Sequence, residues 1–180
     1  MGRPYFFMFR KDVMDMLVAG IDGSTKSTGI AIMEDGELKF HALIDLSKEK
    51  DAMKRIRHML MKICEILNQY KLDAIYMEKS IMKTNIDTVQ KLSNVAGGIM
   101  LYCAQNDIDF FHPLPPEWRA KIGIKQSSKI KREVLKSEAI KTVKREYEIE
   151  VCDDIAEAVL IARSAFNLPK IQILEDDFLL

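Results

Sequence analysis

The stretch LVAGIDGSTKSTGIAIMEDGELKF, residues 17–40, decides the fold. Met16 to Ile21 is an apolar run of strand length, and it stops at the carboxylate Asp22. Thr28 to Met33 is a second such run. Leu38, Phe40, Ala42 and Ile44 alternate with other residues and predict a third strand. Asp35-Gly36 joins the second and third strands, and Asp-Gly is the dipeptide that two-residue hairpins favour. The three strands are expected to form an antiparallel meander. A carboxylate at the end of a core strand costs free energy unless something pairs with it, so Asp22 needs a partner or a cation.

The chain has 180 residues, enough for one domain with a sizeable core. Its formal net charge is zero, so no whole-molecule field points to a polyanion. The three cysteines are Cys64, Cys103 and Cys152; an odd count without a C-x-x-C pair fits a reducing compartment, and we expect a cytoplasmic protein. No run of ~18 apolar residues is present, so no membrane-spanning helix is expected. The start, MGRPYFFMFRKDVMD, lacks the sustained apolar segment and cleavage site of a signal peptide. It is expected to be an N-terminal extension over residues 1–15, with an arm docking on a partner as the alternative. Residues 16–168 are expected to form the domain and 169–180 a tail.

Beyond the hairpin, Met53, Ile56, Leu60, Ile63, Leu67 and Tyr70 keep to one helical face. Leu72 to Met77 is a short strand ending at Glu78. Val89, Leu92, Ala96, Ile99 and Cys103 mark a second helix, and its Gly97-Gly98 pair implies close backbone packing on the sheet or on a partner. Ile108 to Phe111 is a fifth strand, closed by Pro113, Pro115 and Pro116. A basic helix is expected from about Lys129 to Tyr147 and a final one from about Asp153 to Ala165. The order βββ-α-β-α-β-α-α contains two crossover helices, which imply a mixed α/β sheet whose later strands run parallel to the first.

The acids then fall into place. Asp22 ends the first strand and Glu78 the fourth; as parallel neighbours their ends would lie about 4.8 Å apart. Asp154 and Glu157 are three apart and share a helical face. Ala156, Ala158 and Ala162 keep that helix slim enough to lie close on the sheet. Two carboxylates at 4 Å repel by roughly 4 kcal/mol at an effective dielectric of 20. Either some are protonated or a cation sits among them, and oxygen-only ligands favour Mg²⁺ or Mn²⁺ over zinc. Asp153 can serve simply as a helix cap.

Four stretches resemble, in family order, the RuvC-type Holliday junction resolvases of the RNase H-like (retroviral integrase) superfamily. They are GIDGSTKSTGIAI, AIYMEKSIMKTNIDTVQKLSNVAGGI, PPEWRAKIGIKQSSKIKREV and DDIAEAVLIA. The resemblance spans roughly residues 17–165. It implies an RNase H-like fold with a five-stranded mixed sheet flanked by helices. It implies a crossover junction endodeoxyribonuclease that hydrolyses phosphodiester bonds in branched DNA: four-way junctions, and with them forks and flaps. The family's four metal ligands carry over to Asp22, Glu78, Asp154 and Glu157, holding two Mg²⁺ ions, with Mn²⁺ as a substitute. The family pattern usually ends Asp-x-x-Asp, so Glu157 departs from it and Asp153 is an alternative for the fourth place. Ile81 stands where the family often has a junction-wedging aromatic, and Lys83 follows it on the same loop. The resemblance also implies a homodimer, since two symmetric nicks call for two active sites, with the Gly97-Gly98 helix as the candidate interface. The source it implies is a bacterium, or a virus acting in the bacterial cytoplasm.

The neutral total hides segregation. From Glu117 to Glu146, ten basic residues stand against four acidic ones, a local surplus of six. A solvated helix with pairs such as Lys129–Glu133 would account for it. Beside an acidic metal site, a path for the DNA backbone accounts for it better. Lys125, Lys129 and Lys131 occupy the loop-to-helix entry where the family has DNA-contacting lysines, and Arg119 or Lys121 matches another. Two other readings stand beside the nuclease. One is a branched-DNA-binding module without catalysis. The other is an ATP-binding phosphotransferase lobe, since DGSTKSTG resembles the first phosphate loop of the sugar kinase and actin superfamily; those proteins need two lobes, and this chain supplies one.

Overall fold

The computed structural model describes residues 16–80, 85–124, 130–166 and 168–170. Five strands make one sheet: β1 (Leu17–Asp22), β2 (Ser27–Glu34), β3 (Glu37–Asp45), β4 (Ala74–Met77) and β5 (Asp109–Phe111), in the spatial order β3-β2-β1-β4-β5. The first three pair antiparallel, and β4 and β5 run parallel to β1. The β2–β3 hairpin turns at Asp35 and Gly36, both with positive φ (50° and 87°), the geometry of a type I′ turn. The turn is tied to the entry of β1, because Asp35 Oδ1 accepts a 2.9 Å hydrogen bond from the Met16 amide.

Alternation along the central strands sends side chains to two cores. Val18, Ala31 and Met33 pack under α3 (Pro115–Ile122), α4 (Arg132–Tyr147) and α5 (Asp153–Arg163). Ala19, Ile21, Ile30, Ile32 and Ile75 pack under α1 (Ala52–Leu67) and α2 (Ile86–Asn106). The sheet is thus buried on both faces, which is why its central strands read as near-continuous apolar runs.

The closest approach in the fold is α5 on β1 and β2. A Cβ on Gly20 would fall 2.2 Å from the Ala158 carbonyl oxygen, and one on Gly29 would fall 2.0 Å from that of Asp154. The alanines of α5 and these two glycines therefore form one close-packed seam. It sets the first turn of α5 directly over the paired residues Asp22 and Gly29. The Gly97-Gly98 pair is split: Gly98 admits Leu60 of α1, whereas nothing lies near Gly97.

The main correction to the expected order is α3. Pro115 and Pro116 close nothing; they open a helix. Proline is tolerated in the first turn, where amides lack intrahelical partners. Glu117 completes the start by accepting 2.7 Å from the Leu114 amide. The basic helix α4 begins at Arg132 rather than Lys129. Residues 1–15 and 171–180 lie outside the described residues, as do Ile81, Lys83, Lys125 and Lys129. No helix among the described residues is long and apolar enough to cross a membrane.

Candidate active site

The parallel β1–β4 pair brings the two strand-end acids together. Ile21 is in register with Met77, and the Glu78 amide donates to the Ile21 carbonyl at 3.1 Å. Above them, the first two turns of α5 present Asp154 and Glu157. All four acids line one cleft of about 1080 Å³. Its other walls include the β1–β2 turn, the start of α2 and the ends of α3 and α4.

Each acid is held differently. Asp154 Oδ2 accepts from Ser27 Oγ at 2.5 Å. Glu78 Oε2 accepts from the indole Nε1 of Trp118 at 2.7 Å. Glu157, 5% exposed, takes a 2.5 Å ion pair from Arg119, whose guanidinium also stands 3.9 Å from Glu78. Arg119 in turn lies over the Trp118 ring, 4.4 Å from its centroid. Asp22 sits among them. Burial, and then the charges of Glu157, Glu78 and Asp154, push its carboxyl well above the ordinary carboxylate range. Glu78 is raised too, chiefly by burial, against the opposing effect of the Trp118 hydrogen bond and Arg119.

Asp153 points elsewhere. It pairs with Lys136 of α4, whose hydrogen bond lowers its pKa. Asp153 is also absent from the charges acting on Asp22, whereas Glu157 leads them.

Whether this donor set suits a divalent cation can be judged from its electrostatics. Three neighbouring carboxylates destabilise the ionised form of Asp22, which is what an intervening dication would reverse. Oxygen is the right donor for Mg²⁺ or Mn²⁺. The side chains are nonetheless satisfied by Ser27, Trp118 and Arg119. Among the described residues no three His, Cys, Asp or Glu side chains converge on a centre that could hold a metal ion. The chemistry of the set fits; Arg119 holds Glu157 as the group stands.

Of the basic residues expected to meet DNA, Arg119 is turned inward and is only 7% exposed. It follows a buried tryptophan on a short helix, and its guanidinium turns to Glu157 and Glu78 instead of to the surface. Lys131 is exposed at the start of α4, and Lys121 is exposed with its ammonium 5.9 Å from the Tyr76 ring centroid. Arg132 lines the cleft. Sequence reasoning missed Ser27 and Trp118. The single tryptophan of the chain, in a proline-flanked stretch, was the available signal for the second.

Comparison with known proteins agrees with this architecture. The family model described as crossover junction endodeoxyribonuclease RuvC matches residues 18–162. The RuvC protein of Caldicellulosiruptor saccharolyticus is 26% identical over 153 residues, covering 82% of this chain and 90% of its own. That of Carboxydothermus hydrogenoformans is 27% identical over 161 residues, covering 84% and 96%. Among solved structures, Thermus thermophilus RuvC in complex with Holliday junction substrate superposes with a TM-score of 0.66 at 15% identity, over 83% of this chain and 91% of that one. The yeast mitochondrial Holliday junction resolvase Ydc2 superposes with a TM-score of 0.52 at 16% identity, over 86% and 79%.

Proposed function

The chain belongs to the RuvC family of crossover junction endodeoxyribonucleases, and from that premise we propose that its acidic cleft is where a divalent metal and a branched DNA strand meet. The family's activity is endonucleolytic: phosphodiester bonds are hydrolysed at junctions. The observation that carries the reading is the convergence of Asp22, Glu78, Asp154 and Glu157 from β1, β4 and α5 on one cleft, with three of them acting on the charge of the fourth.

We assign these four residues as the ligands of Mg²⁺, two ions per site, with Mn²⁺ able to replace it. When bound, the ions supply an activated water and charge stabilisation for the leaving 3′-oxygen. The protein's own part is orientation. Trp118 fixes Glu78 at the strand end, Ser27 fixes Asp154, and Arg119 neutralises part of the acidic charge before the cleft is loaded. For Glu157 to serve, its carboxylate must turn from Arg119 into the cleft, leaving the guanidinium beside Glu78. Lys121 and Lys131, with Lys125, Lys129, Lys83 and Ile81, supply the DNA path; the first two are exposed as this role requires.

We further propose a homodimer, because two symmetric nicks need two sites. Met100 and Leu101 on the outer side of α2, 51% and 59% exposed, make that helix the candidate contact. Sedimentation that finds monomer alone, with and without DNA, removes it. Relatives from bacteria favour the bacterial cytoplasm, or a virus acting in it.

Cleavage mapping on labelled four-way junctions, forks and flaps, with Mg²⁺ and with Mn²⁺, tests the activity. Paired nicks at the four-way junction, lost in Asp22→Asn, are expected. Binding without nicking in either metal would instead establish a branch-binding module, the reading favoured by the present pairing of Glu157 with Arg119.

A further inference from the structure

Two arginines line the cleft from buried positions, and they are treated differently. Arg119 faces carboxylates. Arg55, on the fourth residue of α1 and 8% exposed, has none at ion-pair distance among the described residues. Its Nη1 donates 2.6 Å to the backbone carbonyl of Glu49, and its Nε is buried with no hydrogen-bond partner. The acid that feels it, the helix cap Asp51, does so weakly and is itself exposed. A guanidinium taken out of water without an anion is costly, and a bound anion would offset that cost.

The surroundings identify the anion. Arg55 lines the same cleft as Ser24, Thr25 and Lys26 of the β1–β2 turn. That turn is held by three hydrogen bonds: Thr28 Oγ1 accepts from the Ser24 amide at 3.0 Å and donates to the Ser24 carbonyl at 2.8 Å, and the Leu46 amide donates to the Lys26 carbonyl at 2.7 Å. A planar guanidinium suits a phosphodiester, which accepts from two nitrogens at once. We propose that Arg55 is a phosphate-binding residue that takes one backbone phosphate of the bound DNA strand at the β1–β2 side of the carboxylates. The proposal rests on the nuclease reading above, and it names a contact outside the basic segment at residues 117–146.

Four-way-junction binding by Asp22→Asn protein in EDTA, with and without Arg55→Gln or Arg55→Lys, tests it across a salt series. Removing one phosphate contact is expected to weaken binding about tenfold and to shallow the plot of log affinity against log salt by about 0.9. Arg55→Lys should keep the slope and lose part of the affinity, because charge survives and the fork does not. Junctions carrying one methylphosphonate each should reveal a position that weakens the arginine protein and leaves Arg55→Gln unaffected. Thermal unfolding controls for folding. An unchanged slope and an unchanged methylphosphonate pattern, even with a lower melting temperature, would make Arg55 a clamp for the Glu49 loop and overturn the proposal. A difference between Arg55→Gln and its parent that vanishes when phosphate buffer is replaced by chloride would assign the site to free phosphate and overturn it as well. Failure of the parent protein to bind any junction refutes the nuclease reading and this contact together.

Discussion

Replacing Gly29 with alanine should damage the catalytic arrangement without touching an acid. Gly29 pairs with Asp22 across the β1–β2 ladder and lies under the first turn of α5. The added Cβ would stand 2.0 Å from the Asp154 carbonyl oxygen, 2.4 Å from its carbon and 2.9 Å from the Ile155 nitrogen. All three are backbone atoms, so no side chain can swing away. Restoring ordinary contact requires the N-terminus of α5 to lift by about 1 Å, and overpacking of this kind costs about 1–3 kcal/mol. For a domain of this size that corresponds to a fall in melting temperature of roughly 2–12 °C. The same lift carries Asp154 away from Asp22, and a 1 Å misplacement can cost on the order of a hundredfold in rate. Circular dichroism melting and single-turnover cleavage of a four-way junction measure the two effects. Gly29→Ala protein that melts with the wild type and cleaves at its rate would refute the seam as the element that positions the site.

Trp118→Phe keeps the buried ring and removes the donor to Glu78. It should cost about 1–3 kcal/mol, and single-turnover kinetics should show a slower cleavage step with junction affinity little changed; an unchanged cleavage step means Glu78 does not depend on that bond. Asp22→Asn tests the electrostatics. A carboxyl whose folded pKa is raised favours the protonated native state, so it weakens folding as pH climbs from the usual carboxylate range through the raised value. In EDTA at pH 7 the asparagine variant should therefore melt above wild type, and the gap should close as pH falls toward 4; a gap that ignores pH contradicts this. Cys103 is 2% exposed, and burial pushes its thiol up to about 11. Mass spectrometry after iodoacetamide at pH 8 should find Cys103 the slowest of the three cysteines, and rapid labelling there would mean that α2 opens readily.

Local chemistry made the sheet readable from the sequence. Asp35-Gly36 dictates a hairpin, and apolar runs that end in acids mark strands whose ends carry function. Ala156, Ala158 and Ala162 made the close helix legible, whereas the glycines that receive it, Gly20 and Gly29, carry no such sign until the strands are paired with α5. The signs failed where meaning depends on direction. Pro115-Pro116 reads as a stop or a start, and only the packing of Trp118 decides. A positive charge at Arg119 is the same letter whether it faces solvent or a carboxylate, and the inward turn of α3 brings it to Glu157. Glu157 reads as the fourth acid with Asp153 as its alternative, and nothing in the sequence announces the pairing of Asp153 with Lys136.

Asp22, Glu78, Asp154 and Glu157 are the residues we propose to hold the catalytic metal together. Electron paramagnetic resonance titration of Mn²⁺ into the wild type and single variants tests it without any need for cleavage. Asp22→Asn, Glu78→Gln, Asp154→Asn and Glu157→Gln should each weaken Mn²⁺ binding by about tenfold or more, while Asp153→Asn leaves it unchanged. Binding that survives Asp22→Asn intact, or that depends on Asp153 and not on Glu157, would contradict the account.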